Sequence, residues 1–121
     1  MFFFPSNFYI QTVISDIDIL DVLNKTDHSR LIGDVCTHLD LNNHDISNTR
    51  LAFRDPRLVA KNLLQLWRDR NANAATREAL LEKMEKVDFC KKAASDLREE
   101  WKLKWIDVIK MMLDWQQKLI V

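Results

Sequence analysis

A chain of 121 residues, 47% hydrophobic and 30% charged, suits one domain and can bury roughly two-thirds of the surface that it exposes unfolded. One glycine and two prolines exclude the turn-rich all-β folds, and the apolar content excludes a disordered chain, which leaves an all-α class. Eighteen basic residues balance eighteen acidic ones, so net charge announces neither a nucleic acid nor an anionic membrane, and recognition by charge must come from local patches.

The opening MFFFPSNFYI has no basic region before its apolar run, which stops at Pro5. It is expected to pack on the domain as an apolar arm, not to act as a signal. From Asn7 the residues Ile10, Val13, Ile14, Ile17, Leu20 and Leu23 recur at three- and four-residue steps and predict a first helix with one buried face, ending near NKTDHS. Ser29 is placed to cap a short second helix through Leu31, Ile32, Val35, Cys36 and Leu39. DLNNHD supplies turn chemistry, with a cap at Asn43 or Asp45, before a weakly amphipathic third helix through Ile46, Leu51 and Phe53.

Asp55-Pro56 is a helix start, because proline fits the first helical position and aspartate favours the positive end of the dipole. The fourth helix carries Leu58, Val59, Leu63, Leu66 and Trp67 and ends within RDRNANAA. Thr76 caps a fifth with Leu80, Leu81, Met84 and Val87 buried and Glu78 and Glu82 on the other face; Asp88 is expected to cap a sixth with Phe89, Cys90, Ala93, Ala94 and Leu97. The helical pattern then runs to the end of the chain without a stop signal. Trp101, Trp105, Val108, Met112, Trp115 and Leu119 are spaced as a coiled-coil a/d seam, which either folds back on its own domain or binds another chain.

Enzymatic chemistry finds no foothold. Cys36 and Cys90 lie in apolar stripes without CxxC pairing and read as reduced, inert core thiols, which suggests a cytoplasmic protein. Cys36 and His38 project to different faces of a helix, so a joint zinc site is not expected. Gly33 alone cannot make a phosphate-cradling loop, and no dinucleotide fingerprint is present. Asp16/Asp18 and Glu99/Glu100 are too close in sequence to converge as an acid/base pair on a helix. No catalytic residue, metal or cofactor is therefore expected, and no window is apolar enough to insert in a membrane. Arg50, Arg54 and Arg57 beside a short helix pair could mimic a helix-turn-helix, but a neutral domain is a poor nucleic-acid binder.

Two blocks, IGDVCTHLDLNNHDISNTR at 32 to 50 and LVAKNLLQLWRDRNANAATREALLEKMEKVDFCKKAASDL at 58 to 97, carry a resemblance to the death-domain superfamily. The leucine pair before Trp67, the Ala-Thr opening of helix five and the Leu80/Leu81 pair fall where that family has them, and the turn after the helix-four tryptophan is most similar to that of Fas-associated adaptors. Ile32 stands where many members have tryptophan, and Asp40 where they often have glycine. The resemblance covers about residues 8 to 98 and implies a six-helix antiparallel death-fold bundle, with 99 to 121 as an extension continuous with helix six.

It also implies function. Members are adaptors that bind other death domains in apoptotic or innate-immune signalling, by head-to-tail contacts that propagate when they do not close into a ring. One contact would set the helix-four corner, Arg68, Asp69, Arg70 and Asn71, against Lys86, Asp88, Lys91 and Lys92. A second would set Arg30, Asp34 and Asp45 against Asp16, Asp18, Lys61 and Gln65; a third would use Arg50, Arg54, Asp55 and Arg57. On this reading, reversing the charges of Arg68 and Arg70 abolishes binding and leaves the fold near wild type. The rival reading is a structural module that self-associates through its C-terminal helix.

Overall fold

Residues 10 to 120 are described by the computed structural model, with side chains through Leu119; the expected arm before Ile10 lies outside the described residues. Six helices make up the fold, and among the described residues there is no strand, only a single antiparallel bridge between Val13 and Thr76. No helix among them is long and apolar enough to cross a membrane.

α1 runs Asp16–Lys25, not from near Asn7. Its start is fixed by a capping box: Ser15 Oγ accepts from the Asp18 N–H at 3.2 Å, and the Asp18 carboxylate accepts from the Ser15 N–H at 3.0 Å. The residues just before are held elsewhere, since Ile14 N–H donates to Ala75 O and Arg77 N–H to Thr12 O, both at 3.0 Å. A periodicity read across that non-helical stretch loses its phase. The buried face is Ile19, Val22 and Leu23, while Ile17 and Leu20 face solvent.

α2 spans 28–38 and changes pitch twice, from an α turn, His28–Arg30, through a π segment, Leu31–Val35, to a 3-10 turn, Cys36–His38. Asp27, not Ser29, supplies the cap. All five expected apolar positions bury nonetheless. Asp40 follows with φ of 60°, a left-handed conformation that aspartate tolerates better than most residues do and that glycine adopts freely.

α3, Asn43–Ala52, opens on a second capping box, between Asn42 and Asp45. Only Ile46 of its apolar residues buries fully, and Leu51 points to solvent. α4, Pro56–Asn71, starts as expected, with Asp55 accepting from the Arg57 N–H at 2.9 Å. It buries Val59, Ala60, Leu63, Leu64 and Trp67, while Leu58 stays exposed. Ala72 ends it at φ 48°, an uncommon conformation for a residue with a Cβ, and leads into a 3-10 turn, Ala72–Ala74.

α5, Arg77–Glu85, is capped by Thr76, whose Oγ1 accepts from the Ala79 N–H at 3.1 Å. Asp88 does not cap the last helix; it opens a 3-10 turn, Asp88–Cys90, that runs directly into α6, Lys91–Ile120. At 30 residues, α6 is about 45 Å long at 1.5 Å per residue. Its first turns close the core against α1 and α5, where Leu97 and Trp101 join Leu23, Leu31, Leu63, Leu64, Leu80, Leu81 and Met84 in full burial. Each such side chain contributes on the order of 1.5–3 kcal/mol to folding.

Candidate interaction surfaces

Both capping-box aspartates are also held by an arginine from a distant helix. Asp18 is 2% exposed and receives Arg77 in a two-pronged pair, Nε to Oδ2 at 2.9 Å and Nη2 to Oδ1 at 2.8 Å. That guanidinium lies 5.0 Å from the centre of the Trp101 ring, within cation–π range. Asp45 receives Arg70 the same way, Nη1 to Oδ2 at 2.7 Å and Nη2 to Oδ1 at 2.8 Å. The Arg70 hydrogen bonds hold the Asp45 carboxyl at about 2, well below its ordinary value.

This changes the reading of the charged corner. Arg70 ties the end of α4 to the start of α3, and Arg68 Nη1 reaches Asp16 Oδ1 of α1 at 2.8 Å, where Gln65 also donates at 3.4 Å. The Arg68 hydrogen bond lowers the Asp16 pKa. Asn71 Nδ2 turns back to Trp67 O at 2.7 Å. Of the four corner residues, Asp69 alone is exposed without a hydrogen bond among the described residues, with Arg68 Nε 3.8 Å away. The expectation that reversing Arg68 and Arg70 spares the fold is corrected: the two arginines join three helices, and their reversal would set like charges on Asp16 and Asp45. Asp16, Asp18 and Asp45, expected on partner-binding faces, are engaged within the chain.

The remaining candidates are more open. Arg50 and Arg54 are exposed and flank a surface hollow lined also by Ser29, Ile32, Phe53, Pro56 and Val59. No acidic side chain among the described residues pairs with either. Arg57 donates to Asn24 Oδ1 at 2.9 Å, and Asp55 is occupied as the α4 cap. Arg30 lies 5.4 Å over the Phe89 ring, and Asp34 is exposed. Lys91 pairs with Asp88 at 3.0 Å, while Lys86 and Lys92 are exposed. Thus Arg50, Arg54 and Ser29 gather at one hollow, whereas the Arg68–Asn71 corner is largely consumed by contacts within the chain.

Sequence reasoning missed the two arginine clamps. The signal available was the pair of boxes, Ser15 to Asp18 and Asn42 to Asp45, which mark helix starts; their arginine partners lie 59 and 25 residues away and leave no local trace.

The two thiols are sealed. Burial raises the Cys36 pKa to about 12 and that of Cys90 to about 11, so neither is a ready nucleophile. Among the described residues no three or more His, Cys, Asp or Glu side chains gather as a metal site would need. His28 Nε2 meets Leu23 O at 2.8 Å and His44 Nε2 meets Asn48 Nδ2 at 3.1 Å. Compared with protein-family models, with curated proteins and with solved structures, the chain matches none of them.

Proposed function

We propose that this chain is a death-fold signalling adaptor domain that binds other death domains by homotypic, charge-complementary association. The observation that carries the reading is the Arg50/Arg54 pair, two exposed guanidinium groups beside a hollow at the α3–α4 junction with no acid among the described residues to neutralise them. Planar guanidinium forks suit carboxylates on a neighbouring domain. Asp69 and Asp34, exposed and outside that hollow, supply the opposite sign that head-to-tail stacking requires. The six-helix order and the sequence resemblance support the same reading. Such an adaptor performs no reaction; it concentrates other proteins through several weak contacts in combination.

Affinity capture from cytosol with wild type and with the Arg50→Glu/Arg54→Glu double variant tests the proposal. Death-domain proteins should bind wild type and be lost from the variant, whose helicity stays unchanged because neither arginine holds the fold together. Equal capture by both baits, or capture of nucleic-acid-associated proteins alone, would refute it.

A further inference from the structure

We infer that the far half of α6 is a self-association arm, and that it pairs antiparallel with the same segment of a second copy. Trp101 is 1% exposed and Trp105 half-buried, whereas Val108, Met112, Trp115 and Leu119 are 45%, 51%, 66% and 66% exposed. The bundle ties α6 down at least as far as Lys104. Lys25 pairs with Glu100 at 2.8 Å, and Asp21 takes the Trp101 indole N–H at 3.1 Å and the Lys104 ammonium at 3.2 Å.

The spacing of those four exposed residues, 4, 3 and 4, is that of a coiled-coil seam, with Met112 and Leu119 at a and Val108 and Trp115 at d. Which occupant it fits follows from shape and charge. α1 sits on the seam side of α6 at Trp101 and Lys104, so two copies in parallel would drive their bundles into the same space. An antiparallel mate avoids this when Met112 faces Trp115 of the second copy. Val108 then faces Leu119, each layer sets a larger side chain against a smaller one, and the two bundles lie at opposite ends of the pair.

Charge fits that register. The flanking e and g positions are Ile109, Met111, Gln116 and Lys118. In an antiparallel pair e meets e and g meets g. Ile109 therefore lies near Gln116 of the mate and Met111 near Lys118, so no like charges are opposed. Shifting the mate by one heptad toward the bundle would set Lys104 against Lys118, which costs stability and selects the shorter overlap. Asp107, Lys110 and Asp114 fall at c and f and stay in water. The pairing does not depend on what the bundle binds.

Sedimentation equilibrium of the full chain should show a dimer that dissociates on dilution, and Met112→Asp or Trp115→Asp should leave it monomeric with unchanged helix content in the bundle. Spin labels at Asp107→Cys and Gln117→Cys report direction, because the native thiols are buried and do not react. In the antiparallel register residue 107 sits about 20 Å along the axis from its mate and residue 117 about 10 Å, at 1.5 Å per residue. In a parallel pair the two separations are equal. A chain monomeric at every concentration, a Trp115→Asp variant that dimerises like wild type, or equal label separations would each overturn the inference. So would a monomer that sediments with phosphatidylserine vesicles, the behaviour of an interfacial helix. The Arg50→Glu/Arg54→Glu variant should dimerise normally, which separates failure of this pairing from failure of the adaptor reading.

Discussion

One helix, α6, has two fates. Its first half presents Ala93, Ala94, Leu97 and Trp101 to a closed core, and Arg98 bridges Glu78 at 2.9 Å and Glu85 at 2.6 Å on α5. Those two carboxylates raise the Arg98 pKa further, and Arg98 in turn lowers that of Glu78. The second half carries more large apolar residues than the first, yet Val108, Met111, Met112, Leu113, Trp115 and Leu119 are all exposed. Hydrophobic periodicity is alike in both halves; what separates them is whether another element lies within reach. The contrast predicts a steep gradient of mutational cost along a single helix.

The largest effect belongs to Trp101→Ala, which removes a buried aromatic together with its hydrogen bond to Asp21 and its stacking on Arg77. The expected loss is about 3–5 kcal/mol, read as a fall in the urea midpoint at constant slope. Trp67→Ala, at the end of α4 and also buried, should cost a similar amount. A Trp101→Ala protein as stable as wild type would mean that α6 does not close the core.

Next comes Asp18→Ala. It strips the α1 cap and leaves the Arg77 guanidinium beside Trp101 without its carboxylate, which is the costly way to break a buried pair, at about 3 kcal/mol. Replacing both partners, Asp18→Leu with Arg77→Met, should recover part of that loss, and a double variant less stable than the single one would show that the clamp is more than an offset of its own desolvation.

The Asp45–Arg70 clamp lies nearer the rim and is better seen through pH. Asp45 is held at about 2 in the folded chain against an ordinary 3.8. Because the folded value is the lower one, its stabilisation is fully present above about pH 4 and is lost as pH falls through 2. Asp16 and Glu78, also lowered, act in the same direction. Arg70→Met should therefore unfold at higher pH on acid titration followed by circular dichroism, with the difference from wild type narrowing below pH 2. An unchanged acid limb would mean that Asp45 keeps its low value without the arginine.

How far the sequence revealed these features depends on their range. Helix number, the Asp55-Pro56 start, the Thr76 cap, the buried residues of α2 and, in α4 and α5, Val59, Leu63, Trp67, Leu80, Leu81 and Met84 were legible because caps and apolar spacing act over a few residues, whereas Leu58 is exposed and Leu66 and Val87 are only partly buried. The start of α1 was not, since Thr12 to Ile14 pair with residues 75 to 77 across the fold and only that tertiary contact holds them as extended chain. The corner was legible as charged but not as engaged: nothing local to Arg70 points to Asp45. The heptad spacing of the arm was visible, but not that Asp21 of α1 holds Trp101 and Lys104 while the seam from Val108 on is exposed, because those contacts lie some 80 residues apart in sequence.

The smallest expected effect is at Trp115. With 66% of its surface already in water, truncation to alanine removes little that folding had buried. In dilute solution, where the chain is monomeric, Trp115→Ala should shift stability by no more than about 0.5 kcal/mol, as exposed sites do. The comparison sharpens at high concentration. Burial of the arm against a second copy then stabilises the wild type in proportion to dimer formed, and the gap between wild type and Trp115→Ala should widen with protein concentration while the gap for Trp101→Ala holds nearly constant. Two tryptophans fourteen residues apart on one helix would thereby separate what holds the bundle together from what the arm joins.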